Sequence, residues 1–256
     1  MFIDTHSHIY SEEFDNDICE VIQRAKDNKV NKILLPNIDK DSIERVFSLA
    51  SQDKHMFYPM MGLYPGSVTL DVENQLKNML NYVQRQDICA IGEIGLDFYW
   101  DKEFYEQQIL AFNTQLLWSK ELNNKPLSIH CRKAFDEILQ CLKRDGRKSF
   151  NGVFHCFGGD IRQAKKVIEM GFHLGIGGVL TFKNSHLAEV VKETSLEHIV
   201  LETDAPYLTP TPFRGKRNEP SFIPIIAQKI AEIKNCPLEE VAEYTTNNAK
   251  RIFNLN

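Results

Sequence analysis

The stretch FIDTHSHIY, residues 2–10, joins a short apolar run to two histidines that are separated by one residue. The run predicts a β-strand over Phe2–His6. Because side chains alternate between the two faces of a strand, His6 and His8 are expected to point the same way, and two imidazoles on one side can bind a metal ion. A single histidine at a strand end is more often an ordinary hydrogen-bonded residue, so the pair needs partners from elsewhere in the chain.

Seven further apolar runs rich in Ile, Val and Leu follow, and amphipathic helical stretches separate them. One helix is predicted over Ser42–Ser51, where apolar side chains recur at helical spacing and Asp41 stands at the N-cap position. Strands that alternate with helices are typical of parallel sheets, and eight of them predict an α/β fold, a TIM (β/α)8 barrel, with residues 1–256 as a single domain. The predicted strands are Phe2–His6, Lys32–Pro36, Phe57–Gly62, Cys89–Glu93, Leu127–His130, Gly152–His155, His173–Gly177 and His198–Glu202.

Metal-ligand residue types stand at the C-terminal ends of five predicted strands, where the active sites of such barrels lie. Six of them at one end of a barrel are much less expected by chance than any one alone. Cys131 and Cys156 are each offset by one residue from a histidine, so they are predicted to pack toward the helices. The predicted metal ligands are His6, His8, Glu93, His130, His155 and Asp204.

Four imidazoles and two carboxylates can hold two divalent ions if one carboxylate bridges them, and Glu93 is predicted to be that bridge. A centre of two ions about 3.5–4 Å apart suits in-line displacement at phosphorus. Imidazole-rich sites favour Zn²⁺, Mn²⁺ or Fe²⁺, whereas Mg²⁺ prefers oxygen ligands. Ligand type alone therefore predicts transition-metal ions.

The composition argues against a general attraction to nucleic acid, because 30 Lys and Arg stand against 35 Asp and Glu, a formal net charge of −5. A basic patch stays open at RGKRNEP, residues 214–220, at the end of the proline-rich stretch Thr203–Pro220; the alternative is a solvated loop. The six cysteines form no C-x-x-C pair, and neither a run of eighteen apolar residues nor a basic-then-apolar leader is present. We therefore expect a cytoplasmic protein without disulfides and without membrane association.

Six motifs taken together resemble the TatD family of metal-dependent deoxyribonucleases, in the amidohydrolase-like superfamily. The resemblance implies a TIM barrel of the metal-dependent hydrolase type with ligands at the six positions named above. It also implies DNase activity, in several members a 3'-to-5' exonuclease action on single strands, generally with Mg²⁺ added. Since ligand type favours other ions, two divalent ions are expected with Mg²⁺, Mn²⁺ and Zn²⁺ all open. The motifs are DTHSH (4–8), IGEIGLDFYW (91–100), SIHCRKAFDE (128–137), GVFHCFGG (152–159), LETDAPYLTP (201–210) and RGKRNEP (214–220).

The reaction expected from these features is attack on a phosphodiester by a water that two metal ions activate, with single-stranded DNA as the substrate. Asp204 is assigned as ligand and proton acceptor, and Glu93 as the other catalytic carboxylate. Arg132 is expected to hold a phosphate oxygen, although a surface position is an equally good interpretation of it alone. Arg214 and Arg217 are expected to contact the DNA backbone. Possible stacking surfaces, which are also normal core residue types, are Phe98, Tyr99 and Tyr207.

One position departs from the family pattern. Members usually carry G-x-H-P after the third strand, whereas this chain reads GLYP at 62–65, with Tyr64 in place of the histidine. A tyrosine can donate a hydrogen bond to a phosphate or stack on a base, but it does not easily replace an imidazole as acid or ligand. Tyr64 is therefore predicted to contact the substrate, with a rate or substrate preference that differs from that of members with the histidine.

Two other classes of function stay open. The same fold and metal centre can hydrolyse a small amide, ester or lactone, or an aminoacyl-tRNA ester, because a fold does not fix a substrate. A non-catalytic nucleic-acid-binding or scaffold protein is the second class, and the complete ligand set argues against it. The sequence indicates no particular protein partner.

Overall fold

Eight parallel strands form one sheet, and their order in space follows their order in the chain. The computed structural model describes residues 1–99, 103–144 and 150–255, so Trp100, the last residue of the motif at 91–100, lies outside the described residues. The strands are β1 (Phe2–Asp4), β2 (Val30–Pro36), β3 (Phe57–Met61), β4 (Ala90–Asp97), β5 (Leu127–Arg132), β6 (Gly152–Phe154), β7 (Phe172–Ile176) and β8 (Ile199–Leu201).

A helix follows each strand, which is the crossover connection that parallel pairing requires. A further helix, α9, ends the described chain and packs against β8 and β1. The helices are α1 (Ile18–Asp27), α2 (Ser42–Gln52), α3 (Val72–Val83), α4 (Tyr105–Glu121), α5 (Phe135–Lys143), α6 (Ile161–Glu169), α7 (Leu187–Glu193), α8 (Ile223–Lys234) and α9 (Leu238–Phe253).

The sheet curves back on itself so that the ends of β8 and β1 meet. The backbone N–H of Thr5 donates to the Leu201 carbonyl at 2.9 Å, and the N–H of Asp204 donates to the His6 carbonyl at 2.9 Å. The predicted eight-stranded barrel is confirmed. The largest difference in strand bounds is that β4 continues to Asp97, four residues beyond its predicted end; β1 ends at Asp4, two residues before its predicted end.

Apolar side chains fill the space on both sides of the sheet, which explains the nearly continuous Ile, Val and Leu runs. The larger cluster contains side chains of the strands and of the helices that pack against them. A second cluster contains one side chain from each of six strands and packs against α9. The polar residues lie at the opposite end of the barrel, where the strands end. The members of the second cluster include Ile3, Leu34, Met60, Ala90, Val153, Val200, Ile252, Phe253 and Leu255.

The N-terminal ends of α2 and α6 show whether nearby residue types predict the capping of a helix. Helix α2 begins at Ser42 and Asp41 stands at its N-cap position, as predicted, but Asp41 already has helical backbone angles and its carboxylate makes no capping bond. The carboxylate of Asp39 instead accepts the N–H of Ser42 at 2.7 Å. Helix α6 has a complete capping box, in which Asp160 and Gln163 each accept the other's backbone N–H, at 2.8 and 2.9 Å.

Glycine is required where β4 approaches β5. Gly95 has a φ of +142°, and a Cβ at this position would lie 2.0 Å from the carbonyl oxygen of His130. The close pairing sets Gly95 opposite His130 and Asp97 opposite Arg132. The conformation of Gly95 therefore brings the polar end of β4 against the polar end of β5.

The six cysteines are free thiols. Cys131 packs against the larger apolar cluster, and burial raises its pKa to about 12. Burial likewise raises the pKa of Cys156. Among the helices of the described ranges, none combines the length and apolar character needed to cross a bilayer.

Candidate metal centre

Glu93 lies at the middle of a buried cluster of histidines at the C-terminal end of the barrel. Its Oε1 is 2.7 Å from His130 Nδ1 and 3.2 Å from His155 Nε2. Its Oε2 is 3.3 Å from His6 Nε2. The rings of His6 and His155 stack with centroids 3.6 Å apart. One carboxylate thus contacts imidazoles that come from the ends of β1, β5 and β6.

Asp204 and His8 complete the cluster on the β8 side. Asp204 Oδ1 lies 3.4 Å from His8 Nε2 and 4.0 Å from His6 Nε2. Because β1 ends at Asp4, strand alternation does not extend to these two histidines. Backbone hydrogen bonds place them instead, since the N–H of Ser7 donates to Leu34 and that of His8 donates to Ala205.

The six residues fit a divalent metal ion. Three overlapping sets of three side chains have ligand atoms that all lie within 4.8 Å of one another. Nε2 of His6 is buried and, although Glu93 Oε2 lies 3.3 Å away, it makes no well-formed hydrogen bond among the described residues, as expected for a nitrogen that binds a metal. The sets are His6, His8 and Glu93; His6, His155 and Asp204; and Glu93, His130 and His155.

Hydroxyl groups hold the outer ring nitrogens of the first two histidines. The Tyr10 hydroxyl donates to the Pro36 carbonyl at 2.6 Å, so its oxygen is free to accept from His8 Nδ1, which lies 2.7 Å away. That bond directs the Nε2 lone pair of His8 into the site. His6 Nδ1 lies 3.3 Å from Ser128 Oγ.

Carboxylates that were not among the predicted site residues contact the other two histidines. His130 Nε2 is 3.0 Å from Asp97 Oδ2, and His155 Nδ1 is 3.3 Å from Glu202 Oε1. Asp97 lies beyond the predicted end of its strand. A signal was present, because Asp97 follows Glu93 by four residues and so shares its face of the strand.

The pKa values of the cluster follow from burial and mutual contact. Burial raises the pKa of Glu93, but His155, His6 and the hydrogen bond to His130 outweigh it and hold the pKa well below its usual range. Burial, followed by His155, lowers the pKa of His6. Burial also lowers the pKa of His130, yet contacts with Asp97 and Glu93 raise it on balance. The cluster therefore contains an ionised carboxylate and the neutral imidazole of His6, the forms that bind metals, whereas burial lowers the pKa of His155 but Glu93 and Glu202 outweigh it and raise that pKa.

Two of the predicted substrate contacts lie at the mouth of the barrel. Tyr64 is half-buried, and its ring meets His130 edge to face at 5.2 Å between centroids. Burial, with Glu93 and Asp97, raises the pKa of Tyr64, so its hydroxyl stays protonated and can donate. Arg132 is exposed at the end of β5, with its guanidinium 3.9 Å from the centre of the Tyr99 ring.

The other aromatic candidates differ in exposure. Phe98 is buried and stacks on Tyr105 at 4.8 Å between centroids, so it belongs to the core. Tyr99 and Tyr207 are 48% and 52% exposed, which leaves area on both rings for a base.

The two arginines of the proline-rich stretch are engaged within the protein. Arg217 donates to Asp17 at 2.6 Å. Arg214 donates to the Thr209 carbonyl at 2.9 Å, and its guanidinium lies 3.8 Å from the centre of the Phe182 ring. A phosphate contact from either side chain has to compete with these interactions.

The chain was compared with known proteins. A family model described as TatD related DNase matches residues 3–254. The uncharacterized metal-dependent hydrolase YabD of Bacillus subtilis is 40% identical over 257 residues, covering all of both chains. The crystal structure of YJJV, a TatD homolog from Escherichia coli K12, superimposes with a TM-score of 0.90 at 31% identity, over 100% of this chain and 98% of that one. The protein named 3'-5' ssDNA/RNA exonuclease TatD of Pantoea ananatis is 31% identical over 97% of each chain.

Proposed function

We propose that this chain, which belongs to the TatD related DNase family of metal-dependent hydrolases, cleaves phosphodiester bonds in DNA as a cytoplasmic 3'-to-5' exonuclease acting on single strands. The observation that carries the proposal is the contact of Glu93 with His6, His130 and His155 at one end of the barrel. The name of the Pantoea ananatis relative supports the substrate and the polarity.

Two divalent ions, of Mg²⁺, Mn²⁺ or Zn²⁺, are part of the proposal. When bound, they would supply an activated water and neutralise charge that develops on the phosphoryl oxygens. One position would use His6, His8, Glu93 and Asp204, and the other would use Glu93, His130 and His155. The support for two positions is that the two oxygens of Glu93 face different histidines.

Asp204 is the proposed proton acceptor. Its side chain is 17% exposed, whereas that of Glu93 is 4% exposed, so Asp204 is the carboxylate that an attacking water meets first. Burial raises the pKa of Asp204, but the hydrogen bond with His8 and the nearby His155 and His6 lower it on balance. Asp204 is therefore ionised near neutral pH and able to accept a proton.

Arg132 and Tyr64 are the proposed contacts to the scissile phosphate. Tyr64 contacts the His130 ring and Arg132 follows His130 by two residues at the end of β5, and both can donate to an anionic oxygen. Arg214 and Arg217 are proposed as contacts to the DNA backbone farther along the strand, in exchange for part of their present interactions.

The test is the exchange of Asp204 for Asn. Asp204→Asn removes the proton acceptor and one ligand charge, so cleavage of labelled single-stranded DNA with added divalent metal is expected to fall by about 100-fold or more. Asp27→Asn, an exposed site at the end of α1, is the matched control and should cleave like the wild type. Unchanged cleavage by Asp204→Asn would remove Asp204 from the mechanism.

A further inference from the structure

Glu202 follows β8 directly and is buried beside the candidate metal centre, with a side chain that is 1% exposed. Its Oε1 accepts the backbone N–H of Cys156 at 2.5 Å and lies 3.3 Å from His155 Nδ1. Its Oε2 and the facing Nδ1 of His155 both lack a hydrogen-bond partner within the ranges that the structure describes. Burial of a carboxylate with so few partners costs free energy, which suggests that the residue has a functional role.

The neighbouring strand leaves room for this carboxylate. A Cβ at Gly175, in β7, would lie 2.2 Å from Glu202 Oε2 and 2.8 Å from its Cδ. A larger residue at position 175 would therefore displace the carboxylate. The fold accommodates a charged group at a place where an apolar side chain would fill the core without that cost.

We infer that Glu202 is a positioning residue that fixes which ring nitrogen of His155 faces the centre. Stacking on His6 holds the plane of the ring but does not select between its two nitrogens. When Nδ1 carries its hydrogen toward Glu202, Nε2 is the nitrogen that faces the centre, 3.2 Å from Glu93 Oε1. His155 is then oriented as a metal ligand before any ion binds.

The consequence concerns one of the two metal positions, and it rests on the proposed function. A carboxylate behind a ligating imidazole orients the ring and makes it a stronger donor, and loss of such a partner typically costs about 10–100-fold in metal affinity. Hydroxyls of Ser128 and Tyr10, not Glu202, hold His6 and His8. Loss of the Glu202 charge should therefore weaken the position formed by Glu93, His130 and His155 more than the position that His6 and His8 supply.

The experiment measures metal binding, not DNA cleavage. The full chain, stripped of metal, is titrated with Mn²⁺ by calorimetry, and bound metal per chain is counted by mass spectrometry. Glu202→Gln keeps the size and one acceptor oxygen but loses the charge. Glu219→Gln is the matched control, because Glu219 is also a buried carboxylate, paired with Arg24 at 2.6 and 2.8 Å away from the centre. Gly175→Ala is a second variant that displaces Glu202 without changing its chemistry.

The expected result is a loss of about 10–100-fold in affinity for one equivalent of Mn²⁺ in Glu202→Gln, a loss in the same direction in Gly175→Ala, and wild-type binding in Glu219→Gln. Folded Glu202→Gln and Gly175→Ala that bind both equivalents like the wild type would overturn the inference. An equal loss in Glu219→Gln would also overturn it. If the expected shifts occur and the wild type cleaves no DNA, the inference stands and the proposed function falls.

Discussion

The two oxygens of Glu93 face different histidines, and this single carboxylate links the halves of the candidate metal centre. Glu93→Gln keeps the shape of the side chain and removes its charge. Metal affinity is expected to fall by more than about 100-fold, beyond the loss from an outer partner, since Glu93 is a proposed ligand itself. Metal per chain, counted by mass spectrometry, is the measurement. Exposed Glu193→Gln should bind like the wild type, and full occupancy in Glu93→Gln would contradict the assignment.

Tyr64 stands where the family resemblance implies a histidine; its ring meets that of His130 edge to face, and burial, with Glu93 and Asp97, raises the pKa of its hydroxyl, which therefore stays protonated. Tyr64→Phe removes a proposed hydrogen bond to an anionic phosphate. The expected loss in kcat/KM for single-stranded DNA is about tenfold, because hydrogen bonds to charged groups are the stronger ones. Tyr82→Phe, half-buried on α3, serves as control in the same steady-state assay. Equal kcat/KM for Tyr64→Phe and the wild type would show that the hydroxyl does not contact the substrate.

At the scale of elements, the capping box at the start of α6 is expected to make a measurable contribution to the Tm. Asp160 and Gln163 cap each other's backbone N–H groups, so Asp160→Ala is expected to lower the Tm by about 2–4 °C. Asp41→Ala is the matched control, because Asp41 precedes α2 without making a capping bond. Its Tm should stay within about 1 °C of the wild type. Thermal unfolding followed by circular dichroism measures both, and equal shifts would contradict the assignment of the cap.

His173 lies near the start of β7, at the opposite end of the barrel from the candidate metal centre, and is expected to make the stability of the fold depend on pH. Burial, followed by Arg251 and His198, lowers the pKa of His173 to about 4, and Arg251 donates to its Nε2 at 3.2 Å. The unfolded chain binds this proton more readily, at a pKa of about 6.5. His173 therefore does not reduce the free energy of unfolding above pH 6.5, where it is neutral in both states. It reduces that free energy progressively as the pH falls from 6.5 toward 4.

His173→Gln removes this titration. Both proteins are measured with a chelator present. From pH 7 to pH 4 the free energy of unfolding should decrease in both, and the decrease should be about 2 kcal/mol smaller in His173→Gln than in the wild type. Urea unfolding at both pH values measures the difference, and all other titrating groups are common to the two proteins. An identical pH dependence would show that His173 is not neutral in the folded state.

The strand ends show what the sequence could predict and what it could not. The runs of Ile, Val and Leu mark eight strands because both faces of each are buried, and the residues that end them are then placed at one end of the barrel. Asp97 was not predicted because the strand was expected to end at Glu93, although the spacing of four residues between Glu93 and Asp97 was a signal. Capping of α2 by Asp39 instead of Asp41 depends on backbone angles that the residue types alone do not specify.

At the scale of the whole molecule, contacts between distant parts of the chain decide what is available to a substrate. Arg217 pairs with Asp17, 200 residues earlier in the sequence, and no local pattern indicates such a pairing. The barrel also separates two roles in space. Apolar packing with α9 fills one end, and the histidines and carboxylates occupy the other. That separation allows the centre to concentrate charge without disturbing the core. That residues 1–256 form one domain stays a prediction.

The most direct test of the central claim compares substrates for the wild-type protein. Single-stranded DNA labelled at its 5' end, and a panel of small esters, lactones and amides, are each incubated with Mg²⁺, Mn²⁺ or Zn²⁺ and with chelator. The account predicts that the labelled DNA shortens progressively from its 3' end only when metal is present, with turnover at least about 100-fold above that of any small substrate. Intact DNA together with metal-dependent turnover of a small ester or amide would contradict it.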